Sequence, residues 1–473
     1  MTAIATDKLK RFFVNKLFAD VADSSERYYL GIGESQDWDS ADLAPSPLVT
    51  NVEERKARLK LQSLKSAETN SFVVPRYNWV SGTTYEAVND ALVGQTNYYV
   101  FTDENKVFLC LQQGKSSFGN SVTSSVKPTG ESRKPLTTAD GYVWQYLYTI
   151  SALKATQFVS ANFIPVQKVI TAIDANETKQ KQIQDSAVVG EILGINVTSG
   201  GTGYTGAPTV LITGRGQDSG GSSLASGGHK TTLIKKLAKA TATVSGGAVV
   251  KIEMDDSGAG KAYGAGYDFA SVTLSGGGGT GAKATPILSM DSGVGGDPRK
   301  DLRSFGIMFN AKLTGTENSK FIVGNDFRQV TLIKNPMIPK ESSLPDSAVQ
   351  AGAEIALRSL KFATITQNFT SDRIIQGVSS TARAYVDNFD STRLHFHQTE
   401  ETGFAQFAEG ETIQETNGNG EGVLLAATGD ADSDAFTESG INIASGEMLF
   451  IDNRAAVTRA TGQTEDIKIV VQL

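Results

Sequence analysis

The chain has 473 residues, more than one hydrophobic core supports, so two or three domains are expected. Its net charge is −7 and no block of Lys or Arg interrupts it, which argues against nucleic acid as the main partner. The composition is that of a soluble globular protein except for glycine, whose 48 residues concentrate between positions 194 and 296.

The start, MTAIATDKLKRFFVNKLFADV, sets charges inside its apolar pattern and has no continuous h-region of a signal peptide. No later window approaches the ~20 apolar residues of a membrane span, so no membrane insertion is expected. Leu9, Phe12, Phe13 and Leu17 fall at helical spacing and predict an N-terminal helix. RYYLGIG reads as a strand, DWDSADLAPSP as an extended loop, and residues 52–65, charged and free of glycine, as a surface helix.

From Phe72 the period becomes two. SFVVPRYNW, NYYVFT, KVFLCLQQ and DGYVWQYLYTI are short aromatic or β-branched runs between turn residues, and they predict antiparallel sheets packed on one another. In the last run Tyr142, Trp144, Tyr146 and Tyr148 share one face, expected between packed sheets with any partner contact at the strand's ends. The single cysteine, Cys110 in VFLCL, forms no intrachain disulfide and reads as buried packing. A disulfide-free fold of this size suits a reducing cytoplasm during folding.

The middle is different. ILGINVTSGGTGYTGAPTVLITGRG and VVKIEMDDSGAGKAYGAGYDFASVTLSGGGG both run strand, Gly-rich turn, Gly-Tyr, strand, Gly. Tyr204 and Tyr267 hold equivalent places about 63 residues apart, so this is one β unit twice, with GQDSGGSSLASGGHK as a mobile loop in the first. FGIMFNAKL and FRQVTLIKNP then return to the earlier style. A third patch follows, with TARAYVDNF and STRLHFHQ; residues 386–438 hold 12 Asp and Glu against one Lys or Arg, Arg393, and read as a solvated surface.

The expected fold is mainly β: a layered antiparallel β-sandwich body with a few peripheral helices and two inserted small β modules. The body takes residues 1–185, 296–343 and 439–473. The Gly-rich insert takes 186–295 and the acidic insert 344–438.

Catalytic parts are scarce. His395 and His397 share a strand face but have no third Cys or His nearby, and His229 sits alone in a Gly/Ser loop. DADSDA from Asp430 lacks the glycine and glutamate of a calcium loop, with Ala435 and Ile441 in their places. The glycine runs contain no G-x-x-x-x-G-K-[ST] frame and no G-x-S-x-G elbow. No catalytic, cofactor or metal residue is therefore assigned, and a cell-wall hydrolase has no pattern to stand on.

YYLGIGESQDWDS, VVPRYNW, TADGYVWQYLYTI, FRQVTLIKNP and SGEMLFIDNRAAVTRATGQTEDIKIVV, in this order, resemble the baseplate wedge subunit of T-even-like contractile-tailed bacteriophages, the one often numbered eight. The likeness covers the body and leaves out both inserts. It implies a non-enzymatic virion protein of the tail baseplate, made in the host bacterial cytoplasm, β-rich and homodimeric. Its other partners would be further wedge proteins, and no cofactor is implied.

Trp79, Trp144, Tyr146, Arg328 and Arg454 are the candidates for interface or fold-anchoring roles, being aromatic or Arg positions in the resembling phrases. Trp144 has pure core packing as its competing role, and Arg454 has pairing with Asp452 or Glu447. The alternative function is a glycan-binding tail adhesin that stacks sugars on Tyr204 and Tyr267. The competing role for each tyrosine is to cap its own β unit.

Overall fold

A computed structural model describes residues 6–472 except 40–41, 49, 68, 90–91, 93, 117, 215–235, 256–261, 341–344, 351 and 427–434. The fold is mainly β, with several antiparallel sheets and short helices, as expected. Two compact units share the chain: Ser71–Ile307 with short terminal pieces, and Phe12–Asn70 with Met308–Val471.

This division differs from the expected single body. Residues 71–185 and 296–307 fall in one unit with the Gly-rich insert, while residues 12–70, 308–343 and 439–471 fall in the other with the acidic one. Strand pairing is the reason. Tyr28–Gly33 lies between Leu61–Ser66 and Asp326–Lys334, so the early strands find partners some 300 residues away.

In the first unit a four-stranded sheet runs in the order Tyr99–Phe101, Lys106–Gln112, Val143–Thr149, Leu136–Thr137. The strand Val143–Thr149 is buried on both faces except at Thr149. Tyr142, Trp144 and Tyr146 pack with Tyr85, Phe108 and Cys110 in one core. Tyr148 departs from this set. The register passes from Phe108↔Tyr146 to Val107↔Tyr148, so one residue of one strand faces two of the other. The Tyr148 hydroxyl donates to the Pro165 carbonyl at 2.9 Å. Cys110 is fully buried, and burial pushes its thiol far up, which leaves it an inert packing group.

Among the described residues the Gly-rich insert holds six strands, three per copy. The first copy contributes Ile192–Thr202, Thr209–Gly214 and Ala240–Ser245; the second contributes Ala248–Met254, Ala270–Ser275 and Thr280–Leu288. Each first strand pairs with the other copy's third, and the two second strands pair with each other. Shifting by 63 residues turns Thr209 into Val272 and Ile212 into Ser275. The observed pairs are Thr209↔Ser275 and Ile212↔Val272, so the ladder maps onto itself when the copies are exchanged. All three ladders among the described residues thus join one copy to the other.

The second unit contains a five-stranded sheet in the order Ala353–Ile355, Leu61–Ser66, Tyr28–Gly33, Asp326–Lys334, Glu447–Thr458. Here the predicted helix over 52–65 is cut short. It runs Asn51–Leu59, capped by Thr50, whose side chain accepts from the Glu53 N–H. Residues 61–66 become a strand because the sheet buries Leu61 and Leu64 completely. The acidic insert forms a closed barrel: Arg358–Gln367 pairs with both Arg393–His397 and Glu421–Leu424, which completes the circuit through Arg383–Phe389, Ile374–Gly377 and Thr412–Glu415. Its interior is Leu360, Phe362, Ile375, Val386, Phe396 and Ile413, among others. The stretch is not simply a solvated surface: it forms a barrel with its own core, and Asp387, Glu411 and Glu415 are buried in it.

Asp7–Val21 is helical as predicted, yet Phe12 and Phe13 are exposed and only Val14 is buried. No helix among the described residues is long and apolar enough to cross a membrane.

Candidate functional site

Of the seven singled-out residues, five are buried. Trp144 and Tyr146 belong to the core of the four-stranded sheet, at 0% and 2% exposure, so neither presents a surface to a partner. The Tyr146 hydroxyl bonds Thr149 Oγ1 at 2.8 Å, and the Trp144 indole N–H has no partner among the described residues.

Tyr204 and Tyr267 are also buried, so neither offers a ring face to a sugar. Nor does each simply cap its own unit. The Tyr204 N–H donates to the Gly247 carbonyl at 3.0 Å and the Tyr267 N–H to the Gly190 carbonyl at 3.1 Å. Each of those glycines stands just before the other copy's first strand. The rings follow the same exchange: a Cβ on Gly277 would meet Tyr204, and one on Gly214 would meet Tyr267. The two tyrosines lock the copies together.

Arg328 is a buried clasp. From the strand Asp326–Lys334 its Nε reaches Asp42 at 2.9 Å, and its other nitrogens bond Asp37 and the Ser35 carbonyl. The fork geometry suits a loop that offers two carboxylates and a carbonyl. The same loop is held from the next strand. The Trp38 indole donates to the Arg454 carbonyl at 2.8 Å, and the Asn453 amide donates to the Pro45 carbonyl at 3.0 Å. Arg454 itself is exposed and lies 3.8 Å from Asp452, a surface pair of little weight.

Arg459, not among the residues singled out from the sequence, is the stronger anchor of the same phrase. It is 2% exposed, bonds Glu465 at 3.0 Å and the Gly315 carbonyl at 2.7 Å, and covers the Phe321 ring. The signal was available: Arg459 and Glu465 bracket a Thr-Gly turn between two strands, which brings them face to face.

His395 and His397 form no metal site. His397 Nδ1 is 2.7 Å from Asp387 Oδ2, both buried, and Tyr385 stacks on its ring. Ser35 Oγ approaches the same aspartate and not the imidazole, so the three do not make a nucleophile–base relay. Among the described residues no three His, Cys, Asp or Glu could share a metal ion. His229 and Asp430, Asp432 and Asp434 lie outside the described residues.

Trp79 borders a sizeable concavity. Its indole N–H donates to Ser124 Oγ at 3.2 Å and its backbone N–H to the Phe101 carbonyl at 2.9 Å, so the residue is fixed at the end of a strand. Beside it opens a cleft of about 540 Å³, lined by Arg76, Asn78, Trp79, Phe101, Asp103, Lys127 and neighbours. The Arg76 guanidinium lies 5.2 Å above the Phe101 ring, with Nε on Asn78 Oδ1 and Nη1 on the Ser160 carbonyl, both at 2.9 Å. Lys127 meets Asp103 at 2.7 Å and Glu104 at 3.5 Å. A cleft of similar size, about 560 Å³, opens on the barrel beside Arg373. Its buried acid, Glu415, already accepts from the Thr370 and Gly420 N–H groups.

Comparison with models of known protein families and with curated proteins finds no match for this chain.

Proposed function

We propose that the chain is a structural subunit of a bacteriophage contractile-tail baseplate wedge, which forms a homodimer and binds other wedge proteins, and that it works without catalysis. The observation that carries this reading is spatial. Three of the five phrases behind the resemblance, YYLGIGESQDWDS, FRQVTLIKNP and SGEMLFIDNRAAVTR, are neighbouring strands of one sheet. Arg328, Trp38 and Asn453 bind the loop of the first to the other two. Phrases scattered over some four hundred residues are thus one mutually supporting piece, the kind of rigid sheet that presents surfaces to neighbouring subunits. The alternative, a glycan-binding adhesin working through Tyr204 and Tyr267, has no exposed ring to use.

The test is co-purification of the tagged full chain with the other wedge proteins, followed by mass measurement. A dimer carrying identified wedge proteins is expected. A lone monomer that ignores them overturns the reading.

A further inference from the structure

The Trp79 cleft combines features that point to a ligand class. Arg76 uses Nε and Nη1 within the chain, and its Nη2 has no partner among the described residues. Lys127 is tied to Asp103 and lies 3.5 Å from Glu104; the Asp103 side chain is 76% exposed, so that pair is a surface contact that a better-placed carboxylate can replace. Two cationic groups and one exchangeable carboxylate, Asp103, therefore border one opening, while the apolar floor is the half-buried Trp79 indole.

Sugar stacking needs an open aromatic face, and the cleft offers little. The Phe101 ring is buried and already covered by the Arg76 guanidinium. What stays available is a guanidinium edge and one indole, with an ammonium that must be drawn from its exposed partner Asp103. The volume, about 540 Å³, fits a short segment of chain better than a single small ion.

We propose that this cleft receives an acidic segment of a neighbouring protein subunit, a carboxylate docking between Arg76 and Lys127 with an apolar side chain against Trp79. A guanidinium recognises a carboxylate through directed N–H···O bonds, and stacking on Phe101 fixes its plane in advance. The inference rests on the reading of the chain as a structural subunit and names one of its docking sites.

The test uses the tagged full-length chain with photo-reactive benzoylphenylalanine replacing Val80, which is exposed beside the cleft. It is incubated with a lysate of cells producing the tail particle, irradiated, and the joined peptide sequenced. The expected product is a segment of another tail subunit with Asp or Glu beside a large apolar residue. Arg76→Glu and Lys127→Glu should each cut its yield at least tenfold, while Lys283→Glu, an exposed charge reversal elsewhere, should leave it unchanged. Rising salt should weaken capture of the wild type. Several outcomes overturn the cleft assignment: capture of the tail subunit that survives both reversals, joining only to a glycan, or displacement by free acetate as effective as by the acidic peptide itself. A wild-type chain that co-purifies with tail subunits yet joins none of them through position 80 overturns the cleft assignment alone; one that does neither overturns the structural-subunit reading, and this proposal with it.

Discussion

Tyr204 and Tyr267 hold equivalent positions and bury equivalent rings, but their hydroxyls differ. Tyr267 accepts a hydrogen bond from the Ala238 N–H at 3.0 Å, in a buried site. The Tyr204 hydroxyl has no such partner among the described residues. Tyr267→Phe leaves a buried N–H unpaired and is expected to cost about 1–2 kcal/mol, against under about 0.5 for Tyr204→Phe. Denaturant unfolding of the two variants reads the difference. Glu191, at the neck of the same module, gives a pH signature. Burial pushes its carboxyl up to about 7, and Lys236 only partly offsets this. The folded state thus favours the neutral acid, and the sign follows. The stabilising contribution is complete below the ordinary carboxyl value and is lost as pH rises through about 7. Wild type should therefore melt lower at pH 8 than at pH 5. Glu191→Gln should be more stable than wild type at pH 8, by about 1–3 kcal/mol, with the gap closing near pH 5. A gap independent of pH would show that Glu191 does not titrate in this range.

At the scale of elements, the repeat depends on two glycines at matching places. Gly201 and Gly264 have φ of +65° and +72°. A Cβ would lie 2.3 Å from the Thr280 carbonyl oxygen at the first and 2.7 Å from the Ala238 nitrogen at the second. Gly201→Ala and Gly264→Ala should each cost about 2–4 kcal/mol, while Gly206→Ala, which meets nothing within 4 Å, should be near neutral. Similar losses in all three would remove this account of the repeat. Elements were legible where one period dominates. Lys106–Gln112 and Asp326–Lys334 announce themselves by β-branched and aromatic runs. Leu61–Ser66 does not, because LQSLKS continues a charged helical segment and only burial of Leu61 and Leu64 turns it into a strand. The helix Ala175–Ser186 is hard to read although Asp174 and Glu177 spell a cap three residues apart, because its polar sequence hides the buried Ile183.

For the whole molecule, what the sequence concealed is non-local. The two copies of the Gly-Tyr unit are visible as a repeat, but nothing along the chain says that their strands exchange. Trp79 can be named from its phrase. The cleft beside it cannot, since its walls come from residues 76–79, 101–105 and 127. The division into two units is equally hidden, because it depends on which early strand meets which late one. It has a measurable counterpart: calorimetry should resolve two transitions. Glu191→Gln should move only that of the Ser71–Ile307 unit. Arg328→Ala removes the buried side chain that clasps the Ser35–Asp42 loop and should lower only the other. A single transition shifted by both would show one cooperative block.

The exchanged strands of the Gly-rich module also constrain its history. Deleting either repeat would bare three edges at once, so the duplication cannot be undone by halves. Insertions can accumulate only in the links between strands. A forerunner with one repeat could have completed its hydrogen-bonding only by borrowing a twin from a second polypeptide.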